Sequence, residues 1–162
     1  MKKLILVLIT LSFINCNSQQ PTQFSEKAMK NILFSLTDES LTLGKVIQQY
    51  KGKKVLIDVW ASWCADCIRG LPRVKELQQA FPDVVFLFLS VDKKNIAWKR
   101  GIQRFKIEGE HYLVENGFDS ELGDFLNLNW IPRYIVLDET GSIRLFKATK
   151  SSDKAILEAL KK

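Results

Sequence analysis

An apolar run that ends in two cysteines constrains this chain more than any other segment. Residues 55–60 read Val-Leu-Ile-Asp-Val-Trp, and the chain continues to residue 67 as Ala-Ser-Trp-Cys-Ala-Asp-Cys. The near-continuous apolar run predicts a buried β-strand. On the first turn of a helix, residues three apart lie on one face, so the sulfurs of Cys64 and Cys67 can bond to each other. The segment therefore predicts a redox-active pair at a strand-to-helix junction.

The N-terminus has the pattern of an export signal. Lys2 and Lys3 precede an apolar stretch, 4–14, that is too short to span a bilayer. We expect a signal peptide over 1–16, a tether over 17–30 and one domain over 31–162. Cys16 is a candidate for lipidation, which would anchor the exported protein to a membrane in the cell envelope. The alternative is that Cys16 is discarded with the signal peptide.

The cysteine count favours a redox role over a structural one. The sequence contains three cysteines, so Cys64 and Cys67 are the pair that remains after Cys16. A bridge across two intervening residues would stabilise the fold very little, because the stabilisation grows with the length of the closed loop. A zinc site would need two further ligands, and haem attachment would need a histidine where Ile68 stands. We predict thiol redox chemistry, with no metal and no cofactor.

The charge pattern argues against a nucleic-acid partner. The formal net charge is +6, and two of these charges belong to Lys2 and Lys3. The other basic residues are scattered along the chain without a long basic block. This distribution is typical of a solvated surface. We expect a monomer that binds no nucleic acid.

Apolar patterns predict strands and helices in alternation. The predicted elements are a hairpin over 31–43, a helix from 43, a strand over 55–60, a helix from the cysteines to Phe81, a strand over 84–91, a helix over 96–105, a short strand or extended connection over 111–114, a helix from Ser120, a hairpin over 134–146 and a last helix from about residue 153. This order predicts an α/β fold with a central mixed sheet flanked by helices.

The order of elements, with Cys-x-x-Cys after the first core strand, resembles the thioredoxin fold over about residues 50–162. Two further features resemble the TlpA/ResA-like branch of exported bacterial thiol–disulfide oxidoreductases. One is the N-terminal hairpin, and the other is an insertion at 98–118, before the strand that follows a proline. The resemblance implies that the protein exchanges electrons with protein disulfides and with an upstream thiol donor.

The two cysteines are expected to have different roles. Cys64 is predicted to take the first helical position, where free backbone N–H groups and the helix dipole favour a thiolate. We expect its pKa to lie below the roughly 8.5 of a free cysteine, and we assign Cys64 as the nucleophile. Cys67, one turn further along, is then the resolving thiol.

Asp58 is a candidate proton acceptor. Strand alternation places it on the same face as Leu56 and Trp60, so it should be poorly solvated, with a raised pKa. Such a carboxyl can accept the proton of the resolving thiol. Thioredoxins use an aspartate six residues before the first cysteine in this way, and Asp58 has that position. The alternative is an aspartate paired with a lysine.

The resemblance also implies a cis-proline opposite the cysteines, and Pro132 has the matching context. Proline has no N–H near the sulfurs, and Ile131 can pair its main chain with an extended substrate. The alternative is a trans-proline that opens an edge strand. Trp63 is expected to form an apolar platform beside Cys64.

The residues between the cysteines, Ala65 and Asp66, are expected to tune the redox balance. The charge of Asp66 opposes a thiolate at Cys64, and Arg69 compensates in part. A less stabilised thiolate corresponds to a more reducing couple, which predicts a reductant.

Three alternative functions stay open. A peroxiredoxin would have a threonine where Ala61 stands, and a Sco-type copper chaperone would have a Cys-x-x-x-Cys spacing. The third alternative is a non-catalytic scaffold. For His111, the one histidine, we expect a surface or loop position.

Overall fold

The computed structural model describes residues 20–162, so Cys16 and the predicted signal peptide lie outside the described residues. Within this range the strands form one seven-stranded sheet. The strands are β1 Ile32–Phe34, β2 Ser40–Thr42, β3 Val55–Trp60, β4 Val85–Ser90, β5 Glu110–Val114, β6 Arg133–Leu137 and β7 Ile143–Ala148. The helices are α1 Glu26–Lys30, α2 Leu43–Gln49, α3 Ala65–Ala80, α4 Asn95–Phe105, α5 Glu121–Phe125 and α6 Lys154–Lys161, with a short 3-10 turn over Gly117–Asp119.

The strand order across the sheet is β2-β1-β5-β4-β3-β6-β7. Strands β3, β4 and β5 run parallel, while β6 pairs antiparallel with β3 and β7 pairs antiparallel with β6. All six residues of β3 are buried, as its apolar sequence, interrupted only by Asp58, predicts. The prediction of a central mixed sheet with an N-terminal hairpin is confirmed by this topology.

The N-terminal segment is part of the domain from about residue 22. The amide of Ile143 donates a hydrogen bond to the carbonyl of Thr22, at 2.7 Å. The rings of Phe24 and Phe125 lie 5.4 Å apart, and Ala28 in α1 is fully buried. The predicted tether over 17–30 therefore extends too far, because its second half packs on α5.

The insertion supplies a strand that joins the hairpin to the core. Strand β5 pairs parallel with β4 on one side and antiparallel with β1 on the other. His111 lies in β5, where it is buried and its ring stacks on Phe88 at 5.1 Å. Its Nε2 atom is 3.0 Å from the carbonyl oxygen of Ile107, and burial lowers its pKa. The expectation of a surface or loop position for His111 was wrong, because the strand that carries it lies inside the sheet.

The active-site helix is amphipathic. Helix α3 spans 16 residues and buries Cys67, Val74 and Leu77, which recur at helical intervals. None of the helices within 20–162 has the length and apolarity that a bilayer span requires.

Candidate active site

The cysteine pair lies where β3 leads into α3. Cys64 is the N-cap of α3 and Ala65 is the first helical residue, whereas the sequence predicted Cys64 itself at the first helical position. Cys64 and Cys67 form a disulfide, with Cα atoms 5.3 Å apart. The amide of Cys67 points at the Sγ atom of Cys64, at 3.1 Å. After reduction, this amide and the other free N–H groups at the start of α3 stabilise the negative charge of a Cys64 thiolate.

The two sulfurs differ in exposure. The side chain of Cys64 is 6% exposed and that of Cys67 is 1% exposed. A substrate disulfide can therefore approach Cys64 more readily than Cys67. This asymmetry fits the division into an attacking and a resolving thiol.

The loop before β6 lies against Cys64. The Ile131–Pro132 peptide bond is cis, and the carbonyl oxygen of Ile131 is 3.7 Å from the Sγ atom of Cys64. The guanidinium of Arg133 is buried and donates from Nη1 to the carbonyl of Leu126, at 2.6 Å. This bond ties the end of α5 to the start of β6 and thereby supports the loop between them.

Asp58 is buried in the strand that leads to the cysteines. It lies in the middle of β3 with 1% of its side chain exposed. Burial raises its pKa to about 8, and the hydroxyl of Tyr134 offsets part of this rise. Asp58 and Tyr134 are register partners on β3 and β6, so both side chains point to the same face of the sheet. The Tyr134 hydroxyl lies next to Gly70 of α3, so Asp58 faces the helix that carries Cys67.

An apolar cleft of about 300 Å³ opens beside Cys64. The side chain of Trp63 is 61% exposed and that of Trp130 is 59% exposed. The rings of Trp63 and Phe118 stack with centroids 6.5 Å apart. Large aromatic groups at this level of exposure are typical of a binding surface. Sequence reasoning missed Trp130 and Phe118, and the position of Trp130 next to the Ile131–Pro132 pair was the available signal.

A buried aspartate holds the loop that leads to Cys64. Asp92, just after β4, accepts hydrogen bonds from the amide of Ser62 at 2.8 Å and from its hydroxyl at 2.7 Å. The hydroxyl of Ser90 donates a third hydrogen bond to Asp92, at 2.8 Å. Opposite this contact, a Cβ atom on Gly101 would lie 2.6 Å from the Cβ atom of Ser62. Sequence reasoning missed this arrangement, because Ser62 and Asp92 are thirty positions apart.

Of the two residues between the cysteines, Asp66 forms an ion pair within α3 and Ala65 lines the cleft. Asp66 lies in the first turn of α3 and pairs with Arg69. Ala65 is the first residue of α3, and its exposed side chain lines the cleft. The contact brings a positive charge beside Asp66, and the effect of this pair on the redox balance stays a prediction.

Comparison with known proteins places the whole site in a family. A family model described as thioredoxin-like matches residues 52–143. The thioredoxin-like protein YneN of Bacillus subtilis is 27% identical over 130 residues, which are 78% of this chain and 68% of YneN. The thiol–disulfide oxidoreductase ResA of Bacillus thuringiensis is 22% identical over 118 residues, which are 72% of this chain and 66% of ResA.

A solved structure agrees with these relatives. The solution structure of a candidate thiol–disulfide oxidoreductase from Bacteroides vulgatus is 32% identical, with a TM-score of 0.64 over 79% of this chain and 84% of that one. The predicted fold class and the predicted ResA-like resemblance are confirmed by these matches. The chain therefore belongs to the thioredoxin-like family, and it carries the Cys-x-x-Cys pair of a thiol–disulfide oxidoreductase.

Proposed function

We propose that this protein is a reductant of protein disulfides in the cell envelope. One observation carries the proposal: the Sγ atom of Cys64 caps α3, is 3.7 Å from the Ile131 carbonyl oxygen, and borders an apolar cleft. An extended polypeptide in the cleft can place its disulfide on Cys64 while its main chain pairs with Ile131. Trp63 lines the same cleft, and the cis bond to Pro132 sets the direction of the chain after Ile131.

The proposed exchange has two steps. The Cys64 thiolate attacks one sulfur of the substrate disulfide, a mixed disulfide forms, and the other substrate sulfur leaves as a thiolate. Cys67 then loses its proton to Asp58 and attacks the Cys64 sulfur. The Cys64–Cys67 disulfide closes and the second substrate sulfur leaves as a thiolate, which takes a proton from solvent. Two electrons pass from the protein dithiol to the substrate, and an upstream thiol donor restores the dithiol.

The burial of Asp58 supports its role in the second step. A carboxyl with a pKa of about 8 is close in proton affinity to a thiol, so the proton can pass between them at little cost. Cys67 is itself 1% exposed, so at neutral pH an internal carboxyl is better placed than bulk water to accept its proton.

A trapping experiment tests this assignment of roles. The Cys67→Ser variant should accumulate covalent mixed disulfides with substrate proteins, because Cys64 can attack but nothing resolves the product. The Cys64→Ser variant is the matched control and should accumulate none. Equal trapping by both variants would contradict the assignment.

The direction of electron flow is tested by the reduction potential. Asp66 lies two residues from Cys64 and opposes a thiolate there, while Arg69 neutralises only part of its charge. We expect a potential below the roughly −180 mV of protein disulfide isomerase, with insulin as a substrate for reduction. A potential well above that value would refute the proposed direction.

The envelope location rests on the N-terminal sequence. Residues 2–14 have the pattern of an export signal, and Cys16 follows it. Fractionation of cells that express the full chain should place it outside the cytoplasm, and Cys16→Ser should move it from the membrane to the soluble fraction. Membrane association that persists in Cys16→Ser would exclude lipidation of Cys16 as the anchor.

A further inference from the structure

Two buried hydroxyl groups lie on the Asp58 side of the sheet and have no part in the proposed exchange: that of Tyr134, which acts on Asp58, and that of Ser151, which acts on Tyr134. Tyr134 is directly opposite Asp58 on the neighbouring strand, and the side chains of both residues are 1% exposed. Side chains of directly opposed residues in an antiparallel pair are near neighbours on one face. The Tyr134 hydroxyl also offsets part of the rise that burial causes in the pKa of Asp58, so the phenol and the carboxyl are close enough to interact.

Gly70 is the point at which the two hydroxyls converge. A Cβ atom on Gly70 would lie 3.1 Å from the Tyr134 hydroxyl oxygen and 3.1 Å from the Ser151 hydroxyl oxygen. Both hydroxyls thus face the same small space, which stays open because glycine has no side chain. Gly70 is three residues after Cys67, on the same side of α3. The space is therefore adjacent to the resolving cysteine.

The polar atoms of this group lack conventional partners. Within residues 20–162, neither Oδ1 of Asp58 nor the hydroxyl of Tyr134 has a hydrogen bond of ordinary length and angle. Buried polar atoms are costly without partners, which gives these two groups a strong tendency to interact with each other. Burial raises the pKa of Asp58, and the Tyr134 hydroxyl offsets only part of that rise. Burial and the charge of Asp58 raise the pKa of Tyr134, and the Ser151 hydroxyl offsets part of that rise.

Ser151 is more exposed to solvent than Asp58 and Tyr134. The side chain of Ser151 is 8% exposed, in the turn before α6, whereas Asp58 and Tyr134 are 1% exposed. The three groups therefore lead from the buried acid toward the surface. None of the three groups lines the cleft that a bound substrate would cover.

We propose that the hydroxyls of Tyr134 and Ser151 carry the proton of Asp58 between the buried site and solvent. A proton leaves the Asp58 carboxyl for the Tyr134 oxygen, the Tyr134 proton passes to Ser151, and the Ser151 proton passes to water. Each hydroxyl gives up its own proton as it accepts the next one, so both stay neutral. The net result is one proton delivered to water, with no change of oxidation state. This inference rests on the proposed role of Asp58 as proton acceptor.

The need for such a path follows from the protonation state of Asp58. With a pKa of about 8, Asp58 holds a proton in most molecules at pH 7. It must release that proton before it can accept the proton of Cys67. Among the described residues, burial and the Tyr134 hydroxyl are the resolved influences on the pKa of Asp58. The Tyr134 hydroxyl is thus the neighbouring group through which we expect the Asp58 proton to leave.

The test separates the two steps of the exchange with the disulfide probe dithiobis(nitrobenzoate) at equimolar concentration. The first coloured thiolate appears when Cys64 attacks, and the second appears when Cys67 resolves the mixed disulfide. In Tyr134→Phe, we expect a first release within about twofold of the wild type and a second release about tenfold slower at pH 7. The deficit should shrink toward pH 10, where the Cys67 thiol ionises without help. Gly70→Ala, whose methyl group enters the shared space, should slow the same release.

The controls distinguish failure of this path from failure of the proposed function. Tyr112→Phe removes a phenol whose hydroxyl faces Gln49 instead, and both releases should stay unchanged. If Asp58→Asn slows the second release while Tyr134→Phe and Gly70→Ala do not at any pH, the path is refuted and the role of Asp58 stands. If Asp58→Asn leaves the second release unchanged, the role of Asp58 and the path fail together. Thermal unfolding of each oxidised variant checks that the fold is retained.

Discussion

Replacement of Asp58 by asparagine should make the oxidised protein more stable at neutral pH and remove a pH dependence of its stability. Asp58 is buried in β3, and its pKa is about 8 in the folded protein. The pKa of an aspartate in the unfolded chain is about 3.9. The folded state therefore retains a proton that the unfolded state releases, and unfolding becomes easier as the pH rises from about 4 to about 8.

The size of the effect follows from the two pKa values. Each pH unit between them lowers the free energy of unfolding by about 1.4 kcal/mol. At pH 7 the accumulated loss is about 4 kcal/mol relative to a side chain that is always neutral. Asparagine has nearly the same shape and does not titrate, so Asp58→Asn removes this loss while it leaves the core filled.

The assay is guanidinium unfolding of the oxidised wild type and the oxidised Asp58→Asn variant at pH 5, 6, 7 and 8. The stability difference between them should grow by about 3 kcal/mol from pH 5 to pH 7, in favour of the variant. Asp83→Asn, at an exposed aspartate in the turn after α3, serves as the control and should follow the wild type. Parallel stability curves for the wild type and Asp58→Asn would refute the reasoning, because they would mean that Asp58 titrates alike in both states.

Three further predictions concern the surroundings of the cysteines. Trp130→Ala should raise KM for protein disulfides about tenfold, because the loss of an exposed aromatic anchor typically costs about 1.4 kcal/mol of binding free energy. Its reaction with a small disulfide should stay unchanged, and an equal effect on both substrates would contradict a binding role. Asp92→Ala should lower the free energy of unfolding in denaturant by about 3 kcal/mol, because it removes the acceptor of three hydrogen bonds from Ser62 and Ser90. Ser62→Ala should lower it by only about 1 kcal/mol, and equal losses would count against Asp92 as the anchor of the loop. Gly101→Ala should destabilise the fold by about 1–2 kcal/mol although alanine favours helix, because its Cβ atom would be 2.6 Å from that of Ser62. A gain in thermal stability would show that the loop can move aside.

The sequence predicted the reactive segment well because its signals are local. An apolar run from Val55 to Trp60 and a cysteine at the start of a helical pattern indicate the strand, the helix and the pair without information from elsewhere in the chain. Asp58 stood out for the same reason, as one acid inside an apolar strand. The buried environment that raises its pKa follows from that pattern alone.

The errors and omissions concern contacts between distant parts of the chain. His111 was expected at the surface, but pairing of β5 with β1 and β4 buries it. Part of the predicted tether is helix α1, since α5 offers a surface on which Ala28 packs. In the sequence, neither segment has an apolar period long enough to reveal a partner.

The sequence by itself determined the chemistry of this protein, because that chemistry depends on residue type and spacing. The relevant features are two thiols at a strand-to-helix junction, an acid in the strand before them and a proline before a later strand. The tertiary structure decided what surrounds that chemistry. It exposes Trp130 at the cleft, fastens Ser62 to Asp92, and gathers Tyr134 and Ser151 around Gly70. Burial and hydrogen-bond partners depend on which strands pair and which helix covers them, and residues far apart in sequence settle this only when the chain folds.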